Sequence, residues 1–289
     1  MQPLFDTELV RARKLRAQAA NTEAADFLML RAVEDLADRL ATVERKFAKA
    51  AAVGCLTADV ATALRRSGKA GDVVRIETDP RLLDGPGLVM RDERLPLENE
   101  SIDLAVSLLT LHEINDLPGM LIQIRRALRP DGLFLAALMG GGTLVELRES
   151  LLVAETELTD GATPRVVPFT DVRDAGGLLQ RAGFALPVAD LETVTVRYAS
   201  MFNLMADLRA MGATNALAAR SRRPATRAFF ARAAQLYAER FSDPDGRIRA
   251  TFSMVWLSGW APDASQQKPL RPGSAEISLA KVLGDRAKP

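Results

Sequence analysis

Apolar residues follow two different spacings along this chain. Between residues 23 and 43 they fall at helical spacing with charges between them, which predicts an amphipathic helix packed against a sheet. From Phe47 onward, short apolar runs alternate with helical segments, a pattern typical of a parallel sheet covered by helices on both faces. The sequence therefore predicts an α/β fold.

The first half of the sheet is predicted to contain five strands. Residues 102–109 form a continuous apolar run, which is typical of a buried central strand. Proline fixes φ and glycine accepts the left-handed region, so Arg129-Pro130-Asp131-Gly132 predicts a tight turn before the fifth strand. The predicted strands cover residues 49–55, 73–77, 88–90, 102–109 and 133–138, with helices at 57–66 and 116–128.

The second half predicts helices inserted before a last strand. Residues 191–198 alternate between apolar and polar side chains, and residues 249–260 alternate well enough to pair with them in antiparallel fashion. Further helices are predicted at about 143–159, 171–182, 200–211 and 224–241. We therefore expect N-terminal helices at 1–45, a main domain at 46–262 with a helical lid at about 199–245, and an extended tail at 263–289.

Composition and charge limit the classes of partner and site. The 38 Lys and Arg residues balance 37 Asp and Glu residues, so the net charge of +1 predicts no general attraction to nucleic acid. Single copies of cysteine (Cys55) and histidine (His112) predict neither an internal disulfide nor a Cys/His metal site. No apolar run approaches the roughly 20 residues of a membrane-spanning helix, and we expect a soluble protein. The basic run at residues 11–16 follows Asp6 and Glu8, and we interpret it as the solvated face of a helix.

Three positions could hold a nucleotide-like cofactor. Gly54 follows the first strand, where a glycine lets the backbone approach such a ligand. Glu77 ends the second strand about twenty residues later, at the spacing of an acceptor for ribose hydroxyls, with Asp79 as a nearby competitor. Asp92 follows the third strand, where a carboxylate commonly meets adenine. An ordinary turn glycine and a solvated strand end stay open as readings of Gly54 and Glu77.

A second group of candidates follows the buried fourth strand. His112 is expected at the carboxyl end of the sheet, where ligands of open α/β folds bind, although a lone histidine is more often a packed or surface residue than a catalytic base. Asn115 and Asp116 are expected beside it at the mouth of the site, with roles in orientation or proton handling. The glycines at 140–142 favour either close backbone approach or a hinge.

Several motifs are similar to those of known families. Residues 95–104 (LPLENESIDL) and 128–132 (LRPDG) resemble class I S-adenosylmethionine-dependent methyltransferases, including the malonyl-acyl-carrier-protein methyltransferases of biotin synthesis. Narrower motifs look like those of the methyltransferase-like assembly factors of respiratory complex I. They are 109–118 (LTLHEINDLP), 141–148 (GGTLVELR), 201–212 (MFNLMADLRAMG) and 271–275 (RPGSA).

The resemblance implies a Rossmann-like class I methyltransferase fold with a mostly parallel seven-stranded sheet. It also implies S-adenosylmethionine as cofactor, held by Gly54, Glu77 and Asp92, and a complex I subunit as protein substrate. Mitochondrial members of the family are implicated in hydroxylating an arginine of that complex. The resemblance begins at Phe5, which favours a bacterial cytoplasmic protein, or the mitochondrial matrix if the source is eukaryotic.

Departures from the family pattern keep a non-catalytic assembly chaperone as the alternative. The glycine-rich turn is reduced to Gly54, and Arg91 stands where an adenine-contacting aspartate is often found. Open space over Gly54 with Glu77 pointing into it would favour an enzyme, whereas Leu56 or Arg91 filling that space would favour a chaperone.

Overall fold

A seven-stranded sheet forms the centre of the computed structural model, which describes residues 2–20, 22, 26–159 and 161–267. The helices are α1 (Thr7–Ala20), α2 (Phe27–Ala41), α3 (Asp59–Arg66), α4 (Leu117–Ala127), α5 (Val145–Leu158), α6 (Val172–Arg181), α7 (Met201–Ala210) and α8 (Arg227–Phe241). The strands are β1 (Phe47–Val53), β2 (Ala70–Glu77), β3 (Leu88–Val89), β4 (Ile102–Leu108), β5 (Leu128–Met139), β6 (Ala185–Tyr198) and β7 (Ile248–Trp260).

The strand order is β3-β2-β1-β4-β5-β7-β6. Strands β1 to β5 pair in parallel, whereas β7 lies antiparallel between β5 and β6. The predicted mostly parallel sheet of a class I methyltransferase fold is thus confirmed. Because the order reverses between β1 and β4, the crevice at the carboxyl ends of these two strands is the place where such sheets bind ligands.

Hydrophobic cores form on both faces of the sheet because neighbouring strand residues point to opposite sides. Leu104 packs in the core that contains α2, α3, α5, α7 and α8, and the next residue, Ala105, packs in the core that contains α4 and α6. Helices α7 and α8 connect β6 to β7, as predicted for the inserted helices.

The start of the chain is fastened to the loop that follows α7. Phe5 and Leu217 form an antiparallel bridge, flanked by the bonds from Asp6 N to Ala216 O (2.9 Å) and from Ala218 N to Leu4 O (2.9 Å). Helix α1 is thereby held across the carboxyl edge of the sheet, where it forms part of the site described below.

The predicted tight turn at residues 129–132 is wrong. Strand β5 runs through this segment, with a register shift against β4 and Asp131 in the left-handed region at φ 59°. Gly132 does not take a left-handed φ. Its lack of a side chain lets the backbone pass close to Arg129, because a Cβ at this position would lie 2.9 Å from Arg129 O. Strand β6 also begins at Ala185, earlier than the predicted 191.

Some sequence predictions fall outside the described residues. They are the tail from 268 to 289, with the 271–275 motif, and the part of the first predicted helix at 23–25. Among the helices that the structure describes, none is long and apolar enough to cross a membrane. The domain bounds stay predictions.

Replacing Leu36 by Ala should lower the free energy of unfolding by about 2–5 kcal/mol, because the side chain is fully buried in α2 against the sheet and its loss leaves a cavity. Leu30→Ala in the same helix is the matched control, since Leu30 is 48% exposed and should change stability by about 0.5 kcal/mol or less. Urea unfolding followed by circular dichroism measures both. Equal losses would show that α2 does not pack as described.

Candidate cofactor and substrate site

Two adjoining cavities lie at the carboxyl edge of the parallel strands. The first, the strand-end cavity, has a volume of about 350 Å³ and is bounded by the ends of β1, β2 and β4 at Gly54, Asp79 and Ser107. The second, the helix-covered cavity, has a volume of about 430 Å³ and is bounded by Phe5 and by residues of α1, α2 and the segment after α7, including Met29 and Met211. Both are of a size that holds small organic ligands or side chains.

The strand-end cavity combines an apolar wall with charged groups. Its apolar lining consists of Val53, Val89, Met90, Leu111 and Ile114. Its charged lining consists of Glu8, Arg11, Lys14, Asp79, Arg91, Asp92 and Glu93. Such a lining suits a ligand that has a flat apolar part and several polar groups.

The helix-covered cavity is largely apolar, with acidic groups among its lining residues. Asp26, Asp59 and Asp84 contribute carboxylates, and His112 contributes an imidazole. Burial raises the pKa of Asp26, and the nearby negative charge of Asp59 raises it further. Neighbouring carboxylates favour a cationic occupant, because a positive charge relieves their mutual repulsion.

Lys14 and Glu113 line both cavities and stand at their boundary. Lys14 Nζ contacts Glu113 Oε2, and the two side chains are only 9% and 14% exposed. The contact is an ion pair without hydrogen-bond geometry, so Glu113 Oε2 is buried without a hydrogen-bond donor among the described residues. A buried carboxylate oxygen in this state retains unused capacity to accept a hydrogen bond.

Gly54 begins the turn after β1 and lines the strand-end cavity. Its φ of 60° is the left-handed conformation that favours glycine, and its N–H donates to Ile76 O at 2.7 Å. Leu56, two residues on, also has a left-handed φ of 56° but lines the helix-covered cavity instead. Leu56 therefore leaves the space over Gly54 open.

Glu77 does not line either cavity, contrary to the expectation that it points at a ribose. Its Oε1 accepts from Cys55 N at 3.1 Å and lies 3.4 Å from Arg75 Nη2. Burial raises the pKa of Glu77 to about 7, while the positive charges of Arg75 and Lys14 oppose the rise. The inward position follows from the buried Cys55 amide that donates to Glu77 and from the adjacent Arg75 guanidinium, which also pairs with Asp84 at 3.0 Å.

Asp79 is the carboxylate that the end of β2 presents to the strand-end cavity. It accepts from Arg81 N at 3.0 Å, from Nε at 2.9 Å and from Nη2 at 2.8 Å. These hydrogen bonds from Arg81 hold the pKa of Asp79 down, at about 2. Asp79 is therefore ionised at neutral pH and can accept from a ligand hydroxyl.

Asp92 and Arg91 both line the strand-end cavity. Arg91 and Arg94 form an antiparallel bridge around Asp92 and Glu93, which have left-handed φ values of 51° and 55°. The Glu93 carboxylate accepts from Asn115 N at 2.8 Å, which holds the turn against the loop after β4. Two successive non-glycine residues in this region are costly, and such strain persists where surrounding contacts enforce it.

His112 lines the helix-covered cavity, where its ring meets Phe169 edge-on at 5.7 Å between centroids. Its Nδ1 accepts from Met139 N at 3.3 Å, so the neutral ring carries its proton on Nε2. Burial lowers the pKa of His112 to about 4; Glu113 acts to raise it and Lys14 to lower it. At neutral pH the imidazole is consequently a hydrogen-bond donor and a weak base.

Asn115 and Asp116 line neither of these cavities. Asn115 Oδ1 accepts from Phe5 N at 2.8 Å and its Nδ2 donates to Phe5 O at 3.2 Å, which clamps the start of the chain. Asp116 caps α4 by accepting from Gly119 N at 2.8 Å. Both side chains have structural partners, and their catalytic roles stay predictions.

Comparison with known proteins agrees with this geometry. The methyltransferase domain family matches residues 51–136. The mitochondrial arginine-hydroxylase NDUFAF5 of Danio rerio is 37% identical, over 96% of this chain and 89% of its own length. The human protein of the same name is 35% identical, over 96% and 83%. The chain belongs to the NDUFAF5 family.

Related folds extend beyond the NDUFAF5 family. The malonyl-[acyl-carrier protein] O-methyltransferase of Laribacter hongkongensis is 33% identical, over 94% of this chain and 96% of its own length. Among solved structures, the YcgJ protein of Bacillus subtilis superposes with a TM-score of 0.55 at 11% identity, covering 80% of this chain and 99% of its own. The structural likeness supports the fold alone.

Lys14 is the site residue of this NDUFAF5-family chain that the sequence analysis missed. The run at residues 11–16 was expected on a solvated helix face, yet Lys14 is buried. Val10, Lys14 and Ala17 recur at the spacing of one helix face, and Ala17 is buried as well. That spacing was the available signal, but a lysine is ordinarily assigned to solvent.

His112 is expected to titrate near pH 4 rather than at its ordinary value of 6.5, because burial disfavours the imidazolium. The chain has one histidine, so the NMR signal of its ring carbon gives this pKa directly. As pH falls below about 6.5 the unfolded chain takes up a proton before the folded one, and the contribution of His112 to stability declines down to about pH 4.

The variant Glu113→Gln is the control for this titration. It removes the carboxylate that raises the pKa of His112, so the titration should move to still lower pH. A wild-type value close to 6.5 would contradict the buried, neutral ring.

Proposed function

We propose that this chain is an S-adenosylmethionine-dependent enzyme that modifies a side chain of a partner protein during assembly of respiratory complex I. The observation that carries the proposal is the pair of cavities that meet at Lys14 and Glu113, one suited to a cofactor and one to a side chain. An enzyme of this class must bring two ligands together with solvent excluded, which adjoining cavities accomplish.

The residues of the strand-end cavity fit the cofactor. Met90 and Ile114 supply apolar surface for the adenine, Asp79 an ionised acceptor for ribose hydroxyls, and Gly54 an open turn. The buried Glu113 Oε2, which lacks a hydrogen-bond donor among the described residues, suits a ligand with a donor group. When bound, S-adenosylmethionine supplies an electrophilic methyl group.

The helix-covered cavity supports a cationic side chain with an apolar stem as the substrate. Its apolar walls, including Leu109, Met139 and Phe169, would surround the stem, and Asp26 and Asp59 would attract the charged end. Relatives of the NDUFAF5 family carry the name arginine-hydroxylase, and an arginine side chain has this combination of stem and charge.

A non-catalytic assembly protein is the second candidate, and specific observations favour it. Glu77 bonds to Cys55 N instead of lining the strand-end cavity, and Arg91 lines that cavity where a carboxylate is common in the fold. On this alternative the strand-end cavity would bind no cofactor, and the helix-covered cavity would hold a partner's side chain unchanged. The cytoplasmic location stays a prediction on either view.

Cofactor binding can be tested by isothermal titration with S-adenosylhomocysteine. Asp79→Asn should weaken binding by about tenfold, because Asp79 lines the cavity and its charge strengthens hydrogen bonds from the ribose. Glu77→Gln should change affinity much less, because Glu77 is directed at Cys55 and Arg75. The thermal midpoint of each variant is recorded as the folding control.

Two results of this titration would oppose the proposal in different ways. Loss of binding in Glu77→Gln but not in Asp79→Asn would show that Glu77, and not Asp79, contacts the ribose. No binding by the wild-type protein would exclude the cofactor-dependent enzyme and leave the assembly protein.

The modification itself is expected to appear in the mass of the partner. A complex I subunit bearing an exposed arginine is co-expressed with the wild-type chain or with Asp79→Asn, and its peptides are analysed by mass spectrometry. Gain of one CH₂ group indicates methylation and should be reduced in Asp79→Asn. Gain of one oxygen would indicate hydroxylation, which requires a two-electron oxidant that S-adenosylmethionine does not supply, and would contradict methyl transfer. An unchanged partner that nevertheless co-purifies with the chain would support the non-catalytic alternative.

A further inference from the structure

Lys14 and Glu113 are the charged residues at the boundary between the two cavities. Lys14 belongs to α1 and Glu113 to the short turn Leu111–Glu113 after β4, so their contact joins the helix to the sheet edge. The charge of Lys14 lowers the pKa of Glu77 on one side and of His112 on the other. The ammonium also lines both cavities.

The ends of the strand-end cavity are chemically different. Met90, Arg91 and Asp92 form the end that follows β3, and Lys14 and Glu113 form the end that adjoins the helix-covered cavity. A cofactor that reacts with a substrate in the helix-covered cavity must place its reactive sulfur near that boundary. The amino-acid part of S-adenosylmethionine is bonded to the same sulfur, and it therefore lies near the boundary too.

We propose that Lys14 and Glu113 together form the receptor for the zwitterionic amino-acid end of the cofactor. Lys14 Nζ would donate to its carboxylate, and Glu113 Oε2, which is buried without a donor among the described residues, would accept from its ammonium. Each charge of the ion pair meets an opposite charge of the ligand, so binding leaves no buried charge without a partner. The proposal rests on the cofactor-binding function proposed above.

Other cations of the strand-end cavity are less suited to this role. Arg11 is 40% exposed and already pairs with Glu8, and it lies 3.8 Å from Asp79, at the end of β2. Arg91 lies in the turn after β3, at the opposite end from the helix-covered cavity. Lys14 alone of these three cations also lines the helix-covered cavity.

The test compares two ligands by isothermal titration. S-adenosylhomocysteine carries the amino-acid end, whereas 5′-methylthioadenosine has the same adenosine and sulfur without it. Lys14→Met and Glu113→Gln should each lower the affinity for S-adenosylhomocysteine by about tenfold or more. Each should leave the affinity for methylthioadenosine within about twofold of the wild-type value. Wild type should prefer S-adenosylhomocysteine, and the variants should lose that preference.

Two further variants separate recognition from folding. The double variant Lys14→Met with Glu113→Gln leaves neither charge buried alone, so it should fold and bind both ligands with similar affinity. Arg16→Met removes a positive charge from an exposed position of the same helix and should alter neither affinity.

The outcomes distinguish this inference from the proposed function. An equal loss of affinity for both ligands would overturn the proposed receptor role. It would indicate that the ion pair only holds α1 over the cavity. A wild-type protein that binds both ligands equally well would overturn that role too, with the cofactor site intact. Binding of neither ligand by wild type would overturn the receptor together with the cofactor-dependent function.

Discussion

The site depends on how charges are kept away from bulk water at one edge of the sheet. Arg75, Glu77, Lys14 and Glu113 are all largely buried there, and a buried charge persists only with a partner of opposite sign. Arg75 lies 3.0 Å from Asp84 and 3.4 Å from Glu77, and the Glu77 carboxylate also accepts from the buried Cys55 amide. Lys14 takes Glu113 as its partner, which places an ion pair between two cavities.

Much of the fold was predictable because the sheet is encoded in local patterns. Continuous apolar runs mark the buried parallel strands, and alternation marks β6, whose residues alternate between exposed and partly buried positions. Strand β7 lies between β5 and β6 and is buried on both faces over residues 252–257, so the expected alternation does not describe its burial. Gly54 was predictable for a similar reason, since a left-handed φ after a strand favours glycine. The bulge at Asp131 was not, because the sequence LRPDG has the residues of a turn. The register against β4 shifts across this segment, and hydrogen bonds of Asp131 and Gly132 with Ala261 keep it in the sheet.

The side-chain arrangement was less predictable because it depends on contacts between distant parts of the chain. Glu77 has the spacing of a ribose acceptor, but its direction is set by Arg75 and by the Cys55 amide. Asn115 was expected at the mouth of the site, but its side chain accepts a hydrogen bond from the backbone of Phe5, 110 positions earlier. Lys14 is buried in contact with Glu113, which lies far from it in the sequence.

The start of the chain and the segment after α7 jointly complete the helix-covered cavity. The segment around Phe5 is bonded to the segment around Leu217, and residues from both sides line the cavity wall. During synthesis this wall cannot form until the ribosome has passed residue 218, when the sheet strands β1 to β6 already exist. A nascent chain therefore carries an open sheet edge for most of its translation, and enclosure of a ligand is among the last steps of its maturation.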